Sequence, residues 1–401
     1  MRVLLTNHFP LHGSGTGTYT HDLAVGLLRA GHEVHALVVD SRADGDDPFP
    51  VRRVVCRPDD QTADLPFGFP CFTSHPQSTQ SFYTLTDDQI GQYRQALRRH
   101  LDAEISDFDP HVVHAQHIWI MGHLVLEAGA PYVLSAQGTD LMGYAADARY
   151  RRFAAEAAEN AGRILAASDF IRRQVLSTFD ISAQRVETLY SAIDIRPYES
   201  PPPRAEALES IGLPPGTGPL VAFVGKLARF KGVDTLLNAA AVYEQDPRRP
   251  TTLIVGDGGQ RAELEAQARR LGLRRVQFLG DRGRRFCAAV YAAADLVVMP
   301  SRGEPLGLVA LEAMASGTPV LGTSAGGLAE ILRDETGGLV PVDDHELLAE
   351  AVLRAIDDDW KRSKGPAARE YVREHHNPEC WVRAIVERYE QVIADRGGRV
   401  T

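Results

Sequence analysis

Two lysines stand five residues apart beside glycines, in Gly225-Lys226-Leu227 and Lys231-Gly232. The run Leu220 to Val224 ahead of them reads as a strand, and Val233 to Tyr243 behind them as a helix. Cations between a strand's carboxyl end and a helix start suit a diphosphate. Glycine lets the backbone approach, the helix N-terminus is partly positive, and lysine adds a point charge. The bland alternative is two surface lysines. Of 43 basic residues, however, only four are lysine (226, 231, 361 and 364), so half of a scarce residue type falls in one six-residue window. That concentration favours the diphosphate reading.

A second constellation is Ser301-Arg302-Gly303-Glu304-Pro305-Leu306-Gly307-Leu308, continuing to Glu312. Glu304 falls in the loop after the strand Leu296–Met299, and Glu312 about two turns into the next helix. A carboxylate at the carboxyl end of a parallel sheet sits where such folds bind ligands. It can accept hydrogen bonds from sugar hydroxyls, and Glu312 can do the same for a ribose. Free amides at Leu306 and Gly307 can hold hydroxyls or phosphate. Taken singly, each glutamate reads equally well as a solvated helix or loop residue.

The elements that must position these groups alternate strand and helix. Val3 to Leu5, the glycine segment Gly13 to Gly17, a helix Thr20 to Ala30 and a strand Val34 to Val39 form a βαβ unit, which implies a parallel sheet. Residues 41–90 lack periodicity and read as a long functional loop, although Phe67, Phe69, Phe72, Phe82 and Tyr83 argue against disorder. A helix is expected over 88–106, then strands at 112–114, 132–135, 163–167 and 186–189. Residues 199–217 hold five prolines and read as a linker. A second alternating series follows, and 378–394 form a last amphipathic helix. At 401 residues the chain suits two or three domains of roughly 150 residues each. The expectation is therefore two doubly wound α/β domains.

Composition narrows the function. The net charge of −10 argues against nucleic acid as a partner, because phosphate contacts need clustered Lys and Arg. Four separate cysteines without a CxxC pair fit a reducing cytoplasm rather than a disulfide scaffold. No apolar run is long enough for a spanning helix.

The ordered set Gly225-Lys226-Leu227…Lys231-Gly232, Val255-Gly256-Asp257-Gly258, Glu304-x7-Glu312, Gly317-Thr318-Pro319-Val320 and Gly326-Gly327…Glu330 resembles the retaining GT-B glycosyltransferases of family 4. The resemblance implies two Rossmann-like domains facing across a cleft, with the nucleotide sugar mostly on the second and the acceptor on the first. The corresponding boundaries are 1–198, a linker at 199–217, 218–372, and a helix in 373–401 crossing back onto the first domain. Lys226 (usually arginine in the family) and Lys231 would hold the diphosphate, and Glu304 the sugar hydroxyls, making these three the catalytic set. Gly225, Gly256, Pro305, Leu306, Gly307 and Leu308 would line the donor site. Glu312 would hold the ribose and Arg282 lies where the base rests. Gly15, Thr16 and Gly17 match the glycine loop that caps the phosphates, where relatives commonly carry a glycine pair. Gln137, in Ser135-Ala136-Gln137-Gly138-Thr139-Asp140, takes a place near the reacting sugar where many relatives have histidine.

His111, His114, His117 and His123 crowd one segment, but the first three straddle a strand and its exit and point different ways. No metal site follows; His114 or His117 is expected in the cleft, with His114 placed beside Gln137 on the acceptor or reacting-sugar side. Asp107-Phe108-Asp109 imitates a metal-binding DxD but precedes Pro110 at a helix-to-strand junction and reads as a turn.

The expected activity is transfer of a hexose or N-acetylhexosamine, with retention and without metal or cofactor, from a nucleotide diphosphosugar, by default a UDP-sugar. Residues 1–198 carry 17 basic and 24 acidic groups, net −7. That favours a small neutral or cationic soluble acceptor, such as an aminocyclitol or a sugar intermediate of secondary metabolism, over a membrane lipid. Synthesis of cell-surface polysaccharide or glycolipid is the nearest alternative. A sugar-nucleotide 2-epimerase and a non-catalytic nucleotide-sugar-binding protein are the alternatives of another class. Stable membrane association is not expected, and no oligomeric state follows from the sequence.

Overall fold

A computed structural model describes residues 1–397 apart from positions 74, 76 and 79. It divides into two compact units, Met1–Ser191 with Pro378–Thr401, and Ala192–Asn377.

In the first unit, β1 (Arg2–Asn7), β2 (Glu33–Asp40), β3 (Val51–Val55), β6 (Val112–Gln116), β7 (Tyr132–Ala136), β8 (Arg163–Ala166) and β9 (Val186–Thr188) form one parallel sheet. A small separate sheet pairs β4 (Pro70–Cys71) with β5 (Gln80–Ser81). The strand order in the main sheet is β3-β2-β1-β6-β7-β8-β9. The chain winds outward from β1, then returns to β6 on its other side, so the order reverses between them. That crevice, at the strands' carboxyl ends, is where doubly wound sheets place ligands. Both faces of the sheet are covered, which is why β6 and β7 are buried along their whole length.

The described residues of 41–90 are more ordered than their sequence suggests. Val51–Val55 pairs in parallel with β2, and Phe69, Phe72 and Phe82 are buried in the core with Trp119 and Tyr150. The C-terminal helix Pro378–Asp395 belongs to this unit and buries Trp381, Val382, Ile385 and Tyr389. The Trp381 ring meets Tyr19 edge-on, with centroids 5.0 Å apart.

The second unit repeats the pattern with β10 (Leu220–Val224), β11 (Thr251–Val255), β12 (Val276–Gly280), β13 (Leu296–Met299), β14 (Val320–Thr323) and β15 (Gly337–Val340). The order β12-β11-β10-β13-β14-β15 reverses between β10 and β13. Val221, Phe223, Leu236, Leu237, Ile254 and Val298 form its core with Leu348 and Val352 of a later helix.

The segment 199–217, expected as a linker, lies inside this second unit. It carries a helix, Arg204–Ser210, whose Ala207 and Leu208 are buried. Arg204 bonds Asp295 at 2.9 Å and the carbonyl of Ala293 at 3.1 Å. The prolines at 201–203 end just before the helix begins, where a missing N–H costs nothing. The units therefore divide at Ser191/Ala192 and Asn377/Pro378, not at 198 and 372/373. Among the described residues no helix is long and apolar enough to cross a membrane.

Candidate functional site

The second unit's switch point collects the residues with the strongest chemistry. β10 ends at Val224, and Gly225-Lys226-Leu227 leaves its carboxyl end. This loop is laced to the next one. Gly225 N–H donates to the Val255 carbonyl at 2.9 Å, Leu227 N–H to the Asp257 carbonyl at 2.9 Å, and Gln260 N–H returns to Leu227 at 3.1 Å. Gly256 and Lys226 are thereby held on neighbouring loops.

A short turn, Arg229–Lys231, then leads through Gly232 into the helix Val233–Tyr243. Gly232 has φ +68°, and a Cβ built there would lie 1.9 Å from the carbonyl oxygen of Pro300. Only glycine lets the loop after β13 pass this close. Arg302 closes the contact. Its N–H donates to the Phe230 carbonyl at 2.7 Å. Its guanidinium grips Asp234 through two nitrogens, at 2.7 and 3.0 Å, and reaches Asp343 at 2.7 Å. These carboxylates hold the guanidinium above its usual pKa.

The result is a direct ion pair between Lys231 Nζ and Glu304 Oε2 at 2.5 Å. The side chains are 16% and 9% exposed, so water screens the pair weakly. Ser301 Oγ donates to the same carboxylate oxygen at 3.2 Å. The Glu304 carbonyl accepts from Gly327 N–H at 2.8 Å, which draws the Gly326-Gly327 segment in as well.

Pro305 and Leu306 follow, and Gly307, at φ +104°, caps the helix Leu308–Ala315. Glu312 is the fifth residue of that helix, just over one turn in rather than two, because the helix begins at Leu308. Its Oε2 accepts from the hydroxyl of Tyr291 at 2.8 Å. Arg282 lies on the loop after β12, exposed, with its Nε on the Leu279 carbonyl at 2.9 Å and its guanidinium over the Phe286 ring.

In the first unit, Gly15, Thr16 and Gly17 are not a loop but the first turn of the helix Gly15–Arg29. Ser14 caps it, accepting from Gly17 N–H at 3.0 Å. Asn7, at the end of β1, donates to the Thr16 carbonyl and to Thr20 Oγ1. Gln137 leaves β7 partly exposed and donates to Gln116 Oε1 at 3.1 Å. Asp140 accepts from Ile118 N–H at 2.8 Å, and burial pushes its pKa up to about 6.

His114 does not join this set. It sits in the middle of β6, fully buried, with Nδ1 2.7 Å from Tyr389 Oη and Nε2 2.8 Å from Ser135 Oγ. Burial lowers its pKa to about 3, so it is neutral and structural. His117, one residue past the strand, lies instead at the crevice. Its Nε2 is 3.4 Å from both Thr16 Oγ1 and Thr139 Oγ1. The remaining histidines disperse: His111 accepts from Arg2 N–H and His123 bonds Glu156. Asp109 ends the helix Asp87–Phe108 in a left-handed turn. Arg302 and Tyr291 had no place among the residues singled out from sequence, although Arg302 lies inside the Glu304 motif.

Comparison with known proteins gives a consistent picture. Residues 218–358 match the model described as glycosyl transferases group 1, and residues 14–191 the glycosyl transferase 4-like domain. D-inositol 3-phosphate glycosyltransferase of Corynebacterium aurimucosum is 35% identical over 234 residues, covering 56% of this chain and 54% of the relative. The enzyme of the same name from Corynebacterium diphtheriae is 41% identical over 194 residues, 46% of this chain and 44% of that one. The chain spans about half the length of the curated relatives it matches. Among solved structures, sucrose-phosphate synthase from Thermosynechococcus elongatus superimposes with TM-score 0.81 at 24% identity over 98% of this chain and 100% of that one. Anabaena HepE, solved with UDP and glucose, gives 0.76 at 22% identity over 96% and 98%. These likenesses show the fold, which is GT-B. The chain belongs to the family 4, group 1 glycosyl transferases.

Proposed function

We propose that the protein is a retaining, metal-independent glycosyltransferase. It moves a hexose or N-acetylhexosamine from a UDP-sugar to a hydroxyl of a small soluble acceptor. The observation that carries this reading is the Lys231–Glu304 pair at the β10/β13 switch point, a cation for the diphosphate beside an acceptor for sugar hydroxyls. The family membership supports it. The bond from the anomeric carbon to the diphosphate breaks and its electron pair leaves with the phosphate. Lys226, Lys231 and the amides at Leu306 and Gly307 stabilise that charge. The acceptor oxygen bonds to the same face of the anomeric carbon, and its proton passes to the departing phosphate oxygen.

The relatives' printed name, with its cyclitol phosphate acceptor, supports a cyclitol-like acceptor here. The acidic balance of residues 1–198, 17 basic against 24 acidic groups, favours a neutral or cationic one over a phosphorylated one. Gln137, neutral and able to donate and accept, would hydrogen-bond the donor sugar where a charge is not needed.

A melting screen against UDP-, GDP- and ADP-sugars tests the donor, since a ligand that binds only the folded state raises its melting temperature. UDP-sugars are expected to give the largest shift. Release of nucleoside diphosphate that requires an acceptor, persists in EDTA and gives an axial-to-axial or equatorial-to-equatorial product supports the reading. An altered sugar nucleotide, or binding without turnover, overturns it.

A further inference from the structure

Glu312 is held from outside its own helix. The hydroxyl of Tyr291, on the helix Arg284–Ala293, donates to Glu312 Oε2 at 2.8 Å. Tyr291 is fully buried and has no freedom to swing away. Its backbone is fixed too. Its carbonyl accepts from Thr318 Oγ1 at 2.6 Å and from Lys361 Nζ at 3.1 Å. Lys361 also donates to the Ala294 carbonyl at 2.9 Å and contacts Thr318 Oγ1. It therefore satisfies carbonyls that the end of this helix leaves without intrahelical partners. Thr318 belongs to Gly317-Thr318-Pro319-Val320, a motif with no group that the proposed chemistry uses.

We propose that Tyr291 is a positioning residue that orients the Glu312 carboxylate toward the vicinal hydroxyls of a ribose, and that Thr318 and Lys361 hold Tyr291 for this task. The inference rests on the assignment of Glu312 to the donor's ribose. A carboxylate on an unconstrained side chain rotates among rotamers. One oxygen pinned by a phenol presents the carboxylate in one plane, so less ordering is needed when a diol arrives. Burial, and then the charge of Glu312, raises the phenol's pKa well above its usual value. It therefore stays a donor throughout the neutral range and Glu312 stays the acceptor. Tyr198 is also buried, and its ring lies 6.1 Å from that of Tyr291, so a second aromatic ring packs against the phenol.

The test is calorimetric binding of UDP and of 2′,3′-dideoxy-UDP to the full chain. Wild type is expected to prefer UDP by about ten- to a hundredfold, the range for hydrogen bonds to a charged acceptor. Tyr291→Phe removes the hydroxyl and keeps the ring. It is expected to weaken UDP about tenfold, leave the dideoxy nucleotide unchanged and bring the ratio toward one. Thr318→Val, which keeps the Tyr291 hydroxyl, is expected to reduce the ratio less. A Tyr291→Phe protein that keeps the wild-type ratio, or that loses both ligands equally, overturns the positioning role. Loss of both would mark a merely structural tyrosine. The underlying assignment fails differently: wild type without preference for UDP, or Glu312→Gln with the wild-type ratio, removes Glu312 from the ribose and the inference with it.

Discussion

Lys231 and Glu304 lie 73 residues apart in sequence, yet Nζ and Oε2 meet at 2.5 Å. The meeting is built by neighbours rather than by the pair. Arg302 ties its own loop to the Arg229–Lys231 turn through Phe230 and Asp234, and Gly232 lets Pro300 lie against it. With the charges already opposed, each neutralises the other at the sheet's carboxyl edge. On the proposed function, an arriving diphosphate carries the same sign as Glu304 and competes with it for the ammonium. Release of Glu304 from Lys231 then frees the carboxylate for sugar hydroxyls at the moment the phosphate is bound.

Lys231→Met is therefore expected to remove most turnover, and also to destabilise the second unit by about 1–3 kcal/mol. That lies below the range for a fully buried pair, because the lysine keeps some contact with water. Adding Glu304→Gln removes the uncompensated carboxylate and is expected to recover much of the stability but none of the turnover. Urea melts and nucleoside diphosphate release measure the two effects separately. Near-wild-type turnover in Lys231→Met would sink the proposed chemistry.

Gly232→Ala tests the architecture without touching a charge. Its left-handed φ costs a β-carbon about 1–3 kcal/mol, and the Cβ also collides with the Pro300 carbonyl. The turn and the loop must separate, so Lys231 and Glu304 drift apart. The expected outcome is a lower melting temperature together with a higher KM for the donor. A variant with unchanged KM would show that the close approach does not set the pair's geometry.

Much of this was readable from residue types. β10 and β13 are short, wholly apolar runs that end at Gly225 and Pro300, so their existence is plain from composition. Lys226, Lys231, Glu304 and Glu312 stood out by charge and spacing beside them. The misreadings have physical causes. Val51–Val55 is an edge strand that carries Arg52 and Arg53 and is mostly half-buried, so no apolar alternation marks it. The helix Arg204–Ser210 hides behind three prolines that only precede it. His114 attracted attention as a histidine, but the phase of a strand buried on both faces cannot be read from its own residues. Arg302 and Tyr291 act through Asp234, Asp343 and Glu312, at separations of 68, 41 and 21 residues, which no local pattern reports.

Lys361 gives a prediction about pH. Burial lowers its folded pKa to about 7, against about 10.4 in an unfolded chain. Between those values the unfolded chain holds the extra proton, so this lysine makes stability rise with pH across the window. Lys361→Met is expected to lack that rise. It is also expected to be less stable at every pH, because the Ala294 carbonyl loses the Lys361 donor and the Tyr291 carbonyl keeps only that of Thr318. Denaturant melts at pH 6.5, 8 and 9.5 compare the slopes, and identical slopes would place the lysine's titration elsewhere.

The first unit should respond at the acid end. His114 and His117 are both taken down to about 3 by burial, and His8 lies well below its usual value for the same reason. Their unfolded values are about 6.5. Between pH 6.5 and 3 the unfolded chain therefore binds protons that the folded one refuses. The stability these imidazoles carry is complete above 6.5 and is lost as pH falls toward 3. Each contributes at most about 1.4 kcal/mol per pH unit within the window. His114→Gln keeps hydrogen-bonding groups for Tyr389 and Ser135 but cannot titrate, so it is expected to flatten the acid slope by nearly one proton. Amide exchange in β1, β6 and β7 reads the first unit apart from the second. An unchanged slope in those strands would mean that His114 takes up its proton in the folded state, against the environment that Tyr389, Ser135 and the surrounding core impose.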